Sequence, residues 1–320
     1  MKLLTVCLEA INLKEKKFCL SPFIDYQKLV PSIARVGLLV PPLVKSIDNG
    51  LMVISGWRRV LACYDLKIET IPILLTSAEA TDLDLLVQVI EENVTTRSLS
   101  LAEKAEAISK LQQFGLSEAK IMADFFPRFS LPQKREYFQL LTQVATQGSE
   151  ELKRFLHQQE ISMEALAIFL TFPPEAQKKL IPFLQTLSYS QRREIVFYFQ
   201  EIASRDGCSV EDLLKNKEIL AFFDHSEVSS RSKSEALIEW LRQKRYPLIT
   251  SWKKEIDQTL RELSWPQEVH LAYDPTFERP EIKVCFSFCN QAQFLFLLDK
   301  LKKIGERPAF RRLFRRTFEE

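Results

Sequence analysis

Glycine and histidine are scarce, 7 and 3 in 320 residues. So few glycines argue against the glycine-rich phosphate loops of Walker-type and Rossmann-type folds. Three histidines, beside cysteines scattered at 7, 19, 63, 208, 285 and 289 with no Cys-x-x-Cys pair, offer no ligand spacing for structural zinc. Charge bias is also missing: 44 Lys+Arg against 42 Asp+Glu leave a net +2, so any attraction for nucleic acid must come from a local surface. No apolar run reaches bilayer length, and Met1 to Glu9 meets a charge too early for a secretory core, so a cytoplasmic protein without a membrane partner is expected. What the chain does have is apolar mass. At 46% hydrophobic with 23 Phe, it can fill the cores of two or three helix-rich domains.

The stretch that organises the N-terminal part is Leu51 to Ala62. It reads as an apolar strand, a glycine at the turn (Gly56), and a helix start carrying Arg58 and Arg59. Amides at a helix start lack intrahelical partners and the dipole there is positive, so an anion gains hydrogen bonds and field together. The planar fork of arginine adds a fit to phosphate oxygens. An arginine pair on an ordinary surface helix is the plain alternative.

Around this stretch the periodicity predicts a helix from Asp25 through Val36 closed by Gly37, and an extended segment Leu38 to Lys45 broken by Pro41-Pro42. A turn at Asp48-Asn49-Gly50 follows, then the strand, a helix ending near Asp65 to Lys67, a strand Ile71 to Leu75, and a helical stretch from Ala80 to Glu92. Residues 11 to 20 read as an edge strand or hairpin.

In that order the chain carries Ser32-Ile33, Gly37 with Pro41, Gly56-Trp57-Arg58-Arg59 with Ala62, and Glu92-Asn93. The series resembles the N-terminal domain of ParB-type chromosome and plasmid partition proteins, a fold shared with sulfiredoxin. A sulfiredoxin activity is set aside because no cysteine stands between Ser55 and Arg58. The resemblance implies CTP with magnesium as ligands: the triphosphate at Gly56, Trp57, Arg58, Arg59, Glu92, Asn93 and Arg97, the cytosine near Gly37 and Pro41, and the metal at Glu92 and Asn93, whose oxygens suit a hard cation. Trp57 stands where the family often has Glu or His, Leu61 replaces a frequent arginine, Val40 takes a common polar site, and Arg97 sits one place late behind Thr96. These departures bear on hydrolysis more than on binding, since placing a water needs polar side chains in strict geometry. Weak CTP hydrolysis stays open.

Further on, Leu101, Ala105, Ile108, Leu111 and Phe114 form one helical stripe behind a Ser100-x-x-Glu103 capping box. Helices are then expected over Glu118 to Phe126 and Leu131 to Ala145, the place of the helix-turn-helix in ParB proteins. The resemblance makes Arg128, Gln133, Lys134 and Arg135 the DNA contacts. Phe126-Pro127-Arg128-Phe129 replaces the short polar turn of that motif, so a helical hairpin serving only the core is the alternative. Short helices continue to Asn216, with Ser162, Ser188 and Ser209 at N-caps, and His157 reads as a solvated side chain. After a serine-rich linker come two helices, two alternating strands, and helices over Ala292 to Ile304 and Pro308 to Phe318. The last interleaves basic and aromatic residues, either to touch a nucleic-acid backbone or to dock its phenylalanines.

The expected fold class is therefore α+β: a ParB-like mixed α/β nucleotide-binding domain (1–98), an all-helical DNA-binding domain (99–224) with a degenerate helix-turn-helix at 117–145, a linker (225–234), and a small C-terminal α/β module (235–320) that could dimerise. The function implied by the resemblance is DNA-binding partition, with CTP controlling dimer closure on DNA, a homodimer, nucleoid association, and a ParA-type ATPase as partner. Two alternatives are a ParB-fold phosphotransferase or nuclease, with Glu69, Glu91 or Glu92 as base, and a regulator that has lost nucleotide binding.

Overall fold

The computed structural model describes residues 1–77, 79–224, 230–274 and 281–314. The chain divides into two units, Met1–Phe197 and Tyr198–Glu320. In the first, the strands are β1 (Lys2–Cys7), β2 (Ile11–Asn12), β3 (Leu43–Ile47), β4 (Gly50–Ser55) and β5 (Thr70–Leu75). They form one mixed sheet in the order β1-β5-β3-β4-β2. β1 runs antiparallel to β5 with Lys2 opposite Leu75, β3 and β4 make an antiparallel hairpin, and β3 lies parallel to β5. The hairpin turns where Asp48, Asn49 and Gly50 were expected to turn it, and Gly50 has a positive φ of 113°.

The helices of this unit are α1 (Val30–Val36), α2 (Trp57–Asp65), α3 (Asp82–Thr96), α4 (Leu101–Gln113), α5 (Glu118–Asp124), α6 (Arg135–Gln147), α7 (Glu150–Gln158), α8 (Met163–Thr171) and α9 (Pro174–Thr186). Serine and threonine caps set most of their starts: Thr81, Ser100, Ser117, Ser149 and Ser162 each accept a backbone N–H in the first turn. The core behind the sheet is built from Val44, Val53, Trp57, Val60, Ala62, Cys63, Ile71 and Ile73. Helix α4 packs against α3, α6 and α7, so the Leu101 stripe is the spine of the helical segment.

Several boundaries move from their expected places. Helix α1 starts at Val30 rather than Asp25, because Pro31 has no N–H to give and is tolerated only in a first turn. Asp25 instead accepts the N–H of Gln27 in a local turn. Helix α6 starts at Arg135 rather than Leu131. Pro132 and the positive φ of Ser130 (54°) hold the chain out of helix until then, so Gln133 and Lys134 precede the helix they were expected to open. Residues 11 to 20 contribute only the two-residue β2 and are otherwise irregular.

Helix α10 (Tyr189–Asp206) begins in the first unit and ends in the second. The second unit continues with α11 (Val210–Leu214), α12 (Lys217–Asp224), α13 (Ser230–Arg245), α14 (Pro247–Glu262), the antiparallel pair β6 (Val269–Tyr273) and β7 (Ile282–Phe286), α15 (Gln291–Gly305) and a 3-10 turn Pro308–Leu313. Its core includes Ile256, Leu263, Ile304 and Leu313. The expected linker is corrected in part: Ser230 to Ser234 are already helix, while 225–229 lie outside the described residues. The expected C-terminal helix is a 3-10 turn as far as Leu313, and its basic-aromatic end, Arg315, Arg316 and Phe318, lies outside the described residues. Among the described residues no helix is long and apolar enough to cross a membrane.

Candidate anion-binding site

Strand β4, between β3 and the edge strand β2, ends buried, with Ile54 wholly covered and Ser55 8% exposed. Gly56 then turns the chain in the left-handed region (φ 96°, ψ 21°), which ends the strand and starts α2 at Trp57. A Cβ on Gly56 would lie 2.9 Å from both the Arg59 guanidinium and the Pro42 side chain, so the turn admits only glycine without displacing one of them.

A cavity of about 660 Å³ opens at this turn. Its walls bring together Gly56, Trp57, Arg58, Arg59, Glu92, Asn93 and Arg97. Gly37 and Pro41, expected near the cytosine, are not among its lining residues. Gly37 closes α1 at φ 75°, and Pro41 reaches the site only through its carbonyl. A volume of this size lies within the range usual for small-ligand sites.

Each arginine has a distinct environment. Arg58 is exposed and donates from Nε to the Asp25 carbonyl at 2.5 Å. Arg59 donates to the carbonyls of Val40 (2.9 Å) and Pro41 (3.2 Å) and lies 3.6 Å from Glu92. Burial lowers the Arg59 pKa, and the Glu92 carboxylate offsets part of that loss. Glu92 also accepts the Ser55 hydroxyl. Arg97 grips Glu103 with two hydrogen bonds of 2.7 Å and gives a third, of 3.1 Å, to Asn93 Oδ1. Glu103 is 1% exposed. Burial pushes its carboxyl up, but the hydrogen bonds of Arg97 and Ser100, with the Arg97 charge, outweigh burial and hold it below the ordinary range. Trp57 is a wall rather than a plug: its ring belongs to the core behind the sheet, and its Nε1 is buried without a hydrogen-bond partner among the described residues.

The oxygen donors Glu92 and Asn93 suit magnesium in kind. Asn93 gives its Nδ2 to the Val89 carbonyl, which leaves Oδ1 as its side-chain acceptor. Both face guanidinium groups, Oδ1 that of Arg97 at 3.1 Å and Glu92 that of Arg59 at 3.6 Å.

Sequence reasoning missed Ser55, Phe23, Asp25 and His157, all of which line the cavity. Phe23 and Asp25 come from the irregular loop before α1 and carried no pattern to find them by. His157 is corrected from solvated to half-buried: its Nδ1 lies 3.2 Å from Ser100 Oγ, and its ring centroid lies 6.0 Å from that of Phe23. Ser100-x-x-Glu103 is a capping box as expected, yet Glu103 does more, serving as the counter-ion of Arg97.

The residues expected at DNA are spread around the α5–α6 connection. Arg128 pairs with Glu91 at 2.9 Å and covers the Phe125 ring. Gln133 and Lys134 are exposed, and Lys134 lies over Tyr137. Arg135 is 73% exposed and pairs with Glu118 at 3.0 Å, a contact worth little in open solvent and easily exchanged for a phosphate.

No protein-family model matches the chain. Three curated proteins, each named "Probable chromosome-partitioning protein ParB", are similar to it. That of Chlamydia trachomatis is 35% identical over 126 residues, covering 34% of this chain and 44% of the relative. That of Chlamydia muridarum is 38% identical over 103 residues, covering 30% and 36%. That of Chlamydia pneumoniae is 28% identical over 204 residues, covering 58% and 65%. The match thus spans less than two thirds of each relative. Among solved structures, C-terminally truncated ParB of Caulobacter crescentus with CTP-gamma-S is 20% identical, with a TM-score of 0.27 over 61% of this chain and 92% of that one. The same protein with the centromeric parS site is 18% identical, with a TM-score of 0.33 over 65% and 95%. The family that the motif series resembles is the family to which the curated sequences point: this chain is a relative of the ParB-type chromosome-partitioning proteins.

Proposed function

We propose that the chain is a DNA-binding partition protein whose first unit takes up CTP with magnesium in the cavity at Gly56, and that occupancy controls closure of a homodimer around DNA. The observation that carries this reading is one cavity collecting the strand-to-helix arginines and the Glu92-Asn93 pair from opposite ends of the motif series. Partition itself is supported by the names of the curated relatives. Arg58, whose Nη groups have no ion pair among the described residues, is the first contact for phosphate, and Arg59 joins it when an anion competes with Glu92. Magnesium would rest on Glu92 and Asn93 and neutralise the charge of the phosphates. Lys134 and Arg135, exposed beside α6, are the proposed DNA contacts, and a ParA-type ATPase stays the proposed partner.

Calorimetry with CTP, ATP and GTP in the presence of magnesium tests the ligand, and footprinting on chromosomal DNA with and without CTP tests the coupling. Equal heats from CTP for the wild type and Arg58→Ala would sink the nucleotide part. A second reading, a scaffold that binds DNA or protein without nucleotide, is favoured by one observation: Arg59 and Arg97 both already have protein partners. An enzymatic reading has less support, since Glu69 does not line the cavity and Glu91 holds Arg128, leaving Glu92.

A further inference from the structure

The cavity is not built from the N-terminal domain alone. Its far wall carries His157, from the last turn of α7, more than fifty positions beyond the motif series. A chain of contacts ties this histidine to the expected metal side of the site. Asn93 Oδ1 accepts from Arg97 at 3.1 Å, Arg97 grips Glu103, Glu103 Oε2 lies 3.1 Å from Ser100 Oγ, and Ser100 Oγ lies 3.2 Å from His157 Nδ1. Ser100 has one hydroxyl proton and already accepts the Glu103 N–H at 3.2 Å. With that proton turned to Nδ1, the neutral ring carries its own hydrogen on Nε2, the nitrogen left without a protein partner among the described residues.

We infer that His157 is a ligand-contacting residue, its Nε2 donating to the terminal phosphate of the nucleotide, so that α7 is the third element of the site beside α2 and α3. The inference rests on the nucleotide reading above. Arg154 lies over Phe23, the ring beside His157, at 4.3 Å. Asp25 and Glu92 are the other carboxylates of the cavity, and Lys104 lies on the outer side of the Arg97–Glu103 wall. Because α7 packs against α4 and α9, a contact at His157 also gives the helical segment direct knowledge of whether a third phosphate is present.

The test is the ratio of CTP to CDP affinity, measured by calorimetry with magnesium on the full chain for the wild type, Arg58→Ala, His157→Gln and His157→Ala, with circular dichroism melts to confirm folding. Loss of a hydrogen bond to a charged group predicts a fall of about tenfold in CTP affinity for both histidine variants, with CDP affinity unchanged, so the ratio collapses. His157→Gln keeps a side chain able to reach Ser100, and therefore separates a lost phosphate contact from a loosened wall. If both variants retain the wild-type ratio while Arg58→Ala weakens both nucleotides, the role of His157 is overturned and the site stands. If the wild type takes up neither nucleotide, the site reading and this inference fall together.

Discussion

Arg97→Met tests the wall of the cavity most sharply. The change keeps most of the side-chain bulk and removes two 2.7 Å hydrogen bonds from a carboxylate that is 1% exposed. Breaking a buried pair on one side costs about 3–5 kcal/mol, and with the Arg97 side chain 40% exposed the cost falls below that range, to about 2–3 kcal/mol. For a cooperative unit of this size that is a fall of roughly 5–10 °C in melting midpoint. The pH dependence gives the sign. Glu103 is held below its ordinary pKa of 4.5 in the folded chain, so its stabilisation is complete above that value and is lost as pH falls through the depressed folded one. Arg97→Met has no such stabilisation to lose, so the gap between variant and wild type is widest near pH 7 and narrows as pH drops below 4.5. Urea unfolding across that range measures it. A cost under about 0.5 kcal/mol at pH 7, the size of an exposed pair, or a gap that stays constant with pH, refutes the assignment of this pair as a buried anchor.

Two further outcomes follow from the geometry. Gly56→Ala and Gly37→Ala both place a side chain at positive φ, at about 1–2 kcal/mol each; only Gly56→Ala also meets Arg59 and Pro42 at 2.9 Å, so its unfolding midpoint falls further and its CTP heats vanish while those of Gly37→Ala persist. Burial raises the Cys19 and Cys63 thiols, whereas Cys7, Cys285 and Cys289 are exposed; thiol titration of the native protein should label the exposed three at once, and label Cys19 and Cys63 only after unfolding.

Local chemistry fixed the elements and their punctuation. The Ser100 capping box, the Gly37 cap, the Asp48-Asn49-Gly50 turn and the strand-Gly56-helix junction depend on residues within four positions of each other, so each was readable from spacing alone. Helix starts were misplaced where a proline governed them, at Pro31 and Pro132, because periodicity continues through a residue whose missing donor ends the helix. The ordered motif series was enough to identify the family.

What the residues do to one another was decided by the fold. Nothing in the sequence distinguishes Arg58, left at the surface, from its neighbour Arg59, half-buried between two carbonyls and Glu92; the difference is which way a helical turn faces once α2 lies on the sheet. Nor does a histidine among charged residues announce that α7 will carry it to Ser100 and into the cavity, since that contact joins positions 57 apart and exists only because α4 and α7 pack together. Spacing along the chain specifies neighbours within a turn or a hairpin, while charge pairing and cavity walls depend on distances that close only when the core does.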